Sequence, residues 1–132
     1  MSETSPTKRT LDLCRKQNWD VQVVERWCSF SRRRIDLFGV VDLVAMDGIR
    51  IIGIQSTSGS NFNARIRKIL AEPRAKRWLE SGARLFVHGW RKLARTRSWD
   101  CREQEITVDM FPDSLEGNMH AIYQMGVHNE QG

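Results

Sequence analysis

The stretch from Ile35 to Thr57 constrains this chain more than any other. It reads IDLFGVVDLVAM-DG-IRIIGIQST. Two apolar, β-branched runs, 35–46 and 49–57, flank Asp47-Gly48, the dipeptide preferred in two-residue hairpin turns. The pattern predicts a strand, a tight turn and a returning strand. Side chains alternate faces along a strand. Asp36, Phe38, Val40, Asp42 and Val44 then share one face, as do Ile49, Ile51, Gly53, Gln55 and Thr57. A two-residue turn sets Met46 against Ile49, Asp42 against Gly53 and Val40 against Gln55. Asp42, Gln55 and Thr57 therefore project from one face beside Val40, Val44 and Ile51. A carboxylate among such neighbours is costly to bury unless something pairs with it. A divalent metal or a cationic side chain would supply that pairing, and Gly53 leaves space above the sheet for a ligand. Asp36 stands roughly 20 Å from Asp42 along an extended strand at about 3.3 Å per residue. It reads as structural, because without a bulge both acids cannot serve one metal.

Around this hairpin the chain alternates in kind. Residues 1–6 read as a disordered lead-in, and 7–17 (TKRTLDLCRKQ) as a helix with Leu11 and Cys14 inward. Residues 19–27 (WDVQVVERW) predict a strand, and 28–34 a polar, basic connection. Ser58-Gly59-Ser60 breaks the sheet, with Ser60 the expected cap of a helix that starts near Asn61. In that helix Phe62, Ile66, Ile69 and Leu70 fall on one face, while Arg65, Lys68 and Glu72 lie away from it. Pro73 interrupts. Residues 74–81 predict a second helical segment with Ala75, Trp78 and Leu79 inward, and Gly82 suits its C-terminal cap. Residues 83–90 (ARLFVHGW) and 105–111 (EITVDMF) predict two further strands, and 112–132 a loose tail. The order helix, strand, strand, strand, helix, strand makes one α/β domain over 7–111 with a mixed sheet.

Charge narrows the partner. Twenty-one Lys and Arg against 16 Asp and Glu give a net charge of +5, which favours an anionic partner, nucleic acid being the commonest. The basic residues cluster at Arg32-Arg33-Arg34, at Arg65, Arg67, Lys68, Arg74, Lys76 and Arg77, and at Arg91, Lys92, Arg95 and Arg97. No apolar run approaches the roughly 20 residues of a membrane span, and MSETSPTKRT has no apolar signal region. Cys14, Cys28 and Cys101 form no CxxC pair. They suit a reducing cytoplasm and no membrane partner.

A helix, a strand, G-x-x-D at Gly39–Asp42, a hairpin to I-x-Q-x-T with Gln55 and Thr57, and then a basic helix resemble the PD-(D/E)XK nuclease superfamily. Restriction endonucleases and archaeal Holliday junction resolvases share that core. The stretch DLFGVVDLVA…IQSTSGSNFNARIRKI is closer still to small phage and prophage proteins. The resemblance covers about residues 7–92. It implies a restriction-endonuclease-like core, a Mg2+ or Mn2+ cofactor and hydrolysis of phosphodiesters, with DNA favoured over RNA. Asp42 matches the metal-binding aspartate. Gln55 stands where the family has Asp or Glu, and its carbonyl oxygen can ligate a metal without adding charge. Thr57 stands where the family has the catalytic lysine, so Lys68 or Arg65 of the following helix is the substitute cation. Glu25 would supply a further acid near the first strand.

Other residues offer binding contacts. Arg32, Arg33 and Arg34 suit phosphate oxygens. Ser60 and Asn61 lead into a helix N-terminus, a natural anion site. Arg65, Lys68, Arg91 and Lys92 extend the basic surface, and Trp90 is a candidate for stacking on a base. His88, His120 and His128 have no mutual ligand spacing. Three readings follow: a metal-dependent nuclease, a catalytically silent nucleic-acid-binding module of the same fold, and a phage accessory protein that binds an acidic host protein. Cutting both strands of a duplex would favour a homodimer.

Overall fold

A computed structural model describes residues 5–112. The expected lead-in before residue 5 and the expected tail beyond residue 112 lie outside them. Helix α1 (Pro6–Lys16) is capped by Ser5, whose hydroxyl accepts from the Lys8 N–H. Seven strands follow: β1 (Asp20–Val23), β2 (Arg26–Cys28), β3 (Arg33–Ile35), β4 (Leu43–Met46), β5 (Ile51–Ser58), β6 (Arg84–Lys92) and β7 (Trp99–Ile106). Helices α2 (Phe62–Leu70) and α3 (Pro73–Glu80) link β5 to β6.

Five strands form one mixed sheet in the order β1-β4-β5-β6-β7, while β2 and β3 form a separate two-stranded hairpin. β5 and β6 are parallel and the other pairs antiparallel. A parallel pair needs a crossover, which α2 and α3 provide. Both faces of the sheet are covered. On one, α1 brings Leu11 and Cys14 onto Leu43, Ala45, Ile52, Ile54 and Phe86. On the other, Phe62, Ile69 and Ala75 pack with Val41, Leu85, Val87 and Ile106. The α/β class and mixed sheet match the sequence expectation.

The details depart from it in instructive ways. The predicted strand 19–27 breaks at Val24–Glu25, whose backbone N–H groups both donate to the Asp42 carbonyl at 2.8 and 3.1 Å. The predicted connection 28–34 is half of the β2–β3 hairpin. The predicted strand 35–46 folds back on itself between β3 and β4. The Asp47-Gly48 turn is longer than two residues, because the Asp47 carboxylate accepts from the N–H groups of both Ile49 and Arg50 at 2.8 Å. Met46 therefore lies opposite Ile51, and Leu43 opposite Ile54. A shift of two residues keeps the paired residues of β4 and β5 on their expected faces. Ser60 does not cap α2. It lies in a short 3-10 turn with its hydroxyl 3.1 Å from that of Ser58, and Asn61 takes the cap position. The last strand runs 99–106 rather than 105–111.

α1 is tied to the sheet by polar bonds as well as apolar contact. The buried Thr10 hydroxyl lies 2.9 Å from Ser56 Oγ and 3.1 Å from His88 Nδ1, and accepts from Trp90 Nε1 at 2.9 Å. His88 Nε2 in turn lies 2.9 Å from Glu103 Oε2. Trp90 is thereby a core residue, 9% exposed, and not a platform for a base.

Gly53 leaves no room for a ligand. A Cβ there would sit 2.8 Å from Trp78 Cζ2 and 2.9 Å from Val41 Cγ2. Trp78 is fixed by its indole N–H donating to the Arg84 carbonyl at 2.8 Å. Gly53→Ala should therefore destabilise the protein by about 1–3 kcal/mol through overpacking. Urea unfolding checks this: the midpoint falls while the slope is unchanged.

Candidate metal centre

Glu25, Asp36 and Asp42 converge, each offering a carboxylate oxygen within 4.8 Å of the others. The group could hold a metal ion. Asp36, read from the sequence as distant and structural, is thus a member. The chain between Asp36 and Asp42 is not extended. Leu37 and Val41 exchange backbone hydrogen bonds of 2.8 and 3.0 Å, and the Gly39 N–H donates to the Asp36 carbonyl at 3.2 Å. Phe38 and Gly39 take left-handed φ values of 56° and 72° to close the turn. The bulky Phe38 in that region costs of order 1–3 kcal/mol. Burial of Val40 and Val41, 2% and 1% exposed, holds the turn in place.

Each acid has its own support. Asp42 Oδ2 accepts from the Ser56 N–H at 2.9 Å, and its own N–H donates to the Ile54 carbonyl at 2.9 Å. Glu25 Oε1 lies 3.3 Å from the Thr7 hydroxyl of α1 and 4.0 Å from Arg34 Nη1 of β3. Asp36 receives Gln55 Nε2 at 3.4 Å. Asp42 is 5% exposed, and burial is the largest influence on its carboxyl. A hydrogen bond to Asp36 and the negative charges of Asp36 and Glu25 add to that. The Ser56 N–H opposes them, and the carboxyl ends held up at about 8. Burial first, and the neighbouring acids after it, thus favour the protonated form of Asp42.

Gln55 is fully buried beside them. Its Nε2 donates to the Val40 carbonyl at 2.7 Å as well as to Asp36. Flipping the amide would set its oxygen against two acceptors, so the orientation is fixed by its neighbours. That leaves Oε1 buried with no hydrogen-bond partner among the described residues. Such an orphan costs about 1–3 kcal/mol. The amide nitrogen, and not the expected carbonyl oxygen, thus faces Asp36. Three carboxylates form an all-oxygen donor set of the kind that binds Mg2+, Mn2+ or Ca2+ rather than a thiolate-loving metal.

The other candidates are placed as follows. Thr57 is buried on the same face of β5, about 6.6 Å beyond Gln55. Lys68 lies on the exposed side of α2, where its charge acts on Glu72, and Arg65 is half-buried on the same helix. Arg32, Arg33 and Arg34 are exposed on the β2–β3 hairpin. Ser60 and Asn61 are exposed in the 3-10 turn, which abuts Arg91: a Cβ on Gly59 would lie 3.2 Å from Arg91 Cβ. Arg91 pairs with Asp100 at 3.4 Å, and Lys92 is exposed at the end of β6. The structure thus gathers Asp36, Asp42, Glu25 and Gln55, and leaves Lys68 outside that group. The signal for Asp36 was Gly39, a turn former inside an apparent strand.

No protein-family profile, no curated protein and no solved structure matches this chain.

The raised Asp42 carboxyl has a measurable consequence. Between its ordinary value of 3.8 and about 8, the folded state holds a proton that the unfolded chain has lost. Its contribution to stability is complete below that window and is lost as pH rises through it. Metal-free protein should therefore melt at a lower temperature at pH 8 than at pH 5, and Asp42→Asn should shrink that difference. Added Mn2+ should raise the melting temperature more at pH 8 than at pH 6, because metal and proton compete for the same oxygens. Thermal melts in EDTA and in Mn2+ check both.

Proposed function

We propose that this chain is a metal-dependent phosphodiester hydrolase acting on nucleic acid, with DNA ahead of RNA as substrate. The convergence of Glu25, Asp36 and Asp42 carries this reading. Carboxylates held this close repel when ionised, and a bound divalent cation would offset that repulsion. The PD-(D/E)XK likeness and a restriction-endonuclease-like core are part of the same proposal. The mixed sheet with a hairpin leading into Gln55-x-Thr57 supports them.

Glu25, Asp36 and Asp42 would hold the ion, and the Gln55 amide would keep Asp36 in place. A bound Mg2+ or Mn2+ supplies two things, polarisation of the scissile phosphate and a lowered pKa for an attacking water. The remaining tasks fall to the chain. Asp42 must give up its proton for the ion to bind. The Ser56 N–H keeps its carboxylate aimed while it does so. Arg34, 4.0 Å from Glu25, is the cation placed to balance the phosphate's charge. It takes the part that the resemblance assigns to lysine. Lys68 faces solvent and does not enter this scheme. Thr57 offers a hydroxyl on the same face for orienting the phosphate or the water.

Mg2+- or Mn2+-dependent cleavage of single-stranded, duplex and branched DNA is the direct test. Asp42→Ala or Asp36→Asn should lower the rate by roughly 10²–10⁴-fold, the worth of several kcal/mol of metal stabilisation. Equal rates in wild type and both variants refute the assignment. Thr57 at the lysine position favours a second reading, a silent nucleic-acid-binding module. Steeply salt-dependent binding without cleavage in any metal selects it.

A further inference from the structure

The β2–β3 hairpin has a composition and exposure that the fold does not explain. Its span RWCSFSRRRI, residues 26–35, carries four arginines and no acid. Phe30 at its tip is 97% exposed, and Trp27 is 59% exposed. A free phenylalanine at the end of a two-stranded ribbon gains nothing from packing. The hairpin pairs only with itself and is not part of the main sheet. Arg32 and Arg33 make no ion pair among the described residues.

The ribbon is nevertheless built to hold a shape. Trp27 lies directly opposite Arg34, and Cys28 opposite Arg33. Residues paired in this way project to the same side. The Cys28 thiol is hydrogen-bonded to Ser31 across the loop, and Arg32 closes the turn at a left-handed φ of 57°. The two ends of the ribbon are the acids of the cluster: Glu25 immediately precedes β2 and Asp36 immediately follows β3. The far end of the paired strands, at Cys28 and Arg33, therefore stands roughly 10 Å beyond the cluster at about 3.3 Å per strand residue, with Phe30 further out. Those roughly 10 Å are about three nucleotide steps of 3.4 Å.

We propose that the β2–β3 hairpin is a stacking wedge, in which Phe30 takes an unpaired base of the nucleic acid while Arg32 and Arg33 grip the phosphates beside it. The proposal deepens the reading above and rests on it for the class of partner. Arginine and an exposed aromatic on one small ribbon match what a nucleotide offers, an anionic phosphate and a flat apolar base. A second copy of the chain is a poor occupant, because two hairpins of four arginines repel. In a fully paired duplex each base already stacks on its neighbours and Phe30 has little to add. The wedge thus selects nucleic acid with an unpaired base near the scissile phosphate, such as a single strand, gap, flap or junction.

Binding without cleavage tests this. Fluorescence anisotropy in EDTA would compare the full chain on a paired DNA duplex and on the same duplex with a gap of three nucleotides. Wild type should prefer the gapped DNA. Phe30→Ala should lose roughly 5- to 150-fold on the gapped DNA, the worth of stacking one base on an aromatic ring, and change little on the paired duplex. Phe30→Trp should keep the preference. Arg33→Ala should weaken both and make the salt dependence shallower by about one phosphate contact. Phe30 is almost fully exposed, so melting curves should be unchanged. Equal affinities of wild type and Phe30→Ala for gapped DNA overturn the wedge, as does equal loss on both DNAs or no DNA binding at all. A Phe30-dependent preference with no cleavage in any metal upholds the wedge and refutes the hydrolase.

Discussion

Burial of Asp42 beside two further carboxylates is the constraint that the rest of this molecule has to meet. Glu25, Asp36 and Asp42 come from three separate breaks in the strand pattern, and each break turns an acid inward toward the other two. None of these turns is favoured locally. Val24 and Glu25 leave β1 to donate to the Asp42 carbonyl. Phe38 accepts a left-handed backbone so that Leu37 and Val41 can pair. Asp42 gives up regular strand geometry one residue before β4. The apolar layers on both faces of the sheet supply the stability that lets such a group persist without a cation. Strained, mutually repelling groups held by a packed scaffold are the usual mark of a binding or reacting centre.

Much of this was legible in the sequence and some was not. The hairpin around Asp47-Gly48 is visible as two apolar runs about a turn dipeptide. Its register is not, because the Asp47 side chain captures two backbone N–H groups and lengthens the loop. The error of two residues is harmless to facing, so Asp42 and Gln55 were read on the correct side of the sheet. Asp36 was misplaced for a different reason. A turn built on Phe38 and Gly39 looks like strand, since phenylalanine and the flanking valines all favour extended backbone. Only tertiary burial of Val40 and Val41 selects the tight turn. Gly53 misled in the opposite sense: the glycine marks a close approach, and the approaching group is Trp78 rather than a ligand.

The same contrast separates the basic residues. Arg84 is spent on Glu105 in two hydrogen bonds, and Arg74 on Glu72. Sequence clusters of arginine do not distinguish such structural pairs from free charge. The β2–β3 hairpin differs because the acids nearest it lie at its roots, in the candidate metal centre, and Arg34, beside Glu25, is the one of its arginines with an ion pair among the described residues. Surface charge and site charge are thereby of opposite sign within one short ribbon.

The bond between Thr10 and the far strands bears on how the chain is born. α1 leaves the ribosome first, yet its anchors His88 and Trp90 are synthesised nearly eighty positions later. Thr7, which steadies Glu25, belongs to that same helix. A nascent fragment lacking β6 therefore lacks the His88 and Trp90 bonds that tie α1 to the far strands. Such late locking is the pattern expected of distant contacts, which are slow to close. It would leave the acid cluster without its full support until the whole sheet has been made.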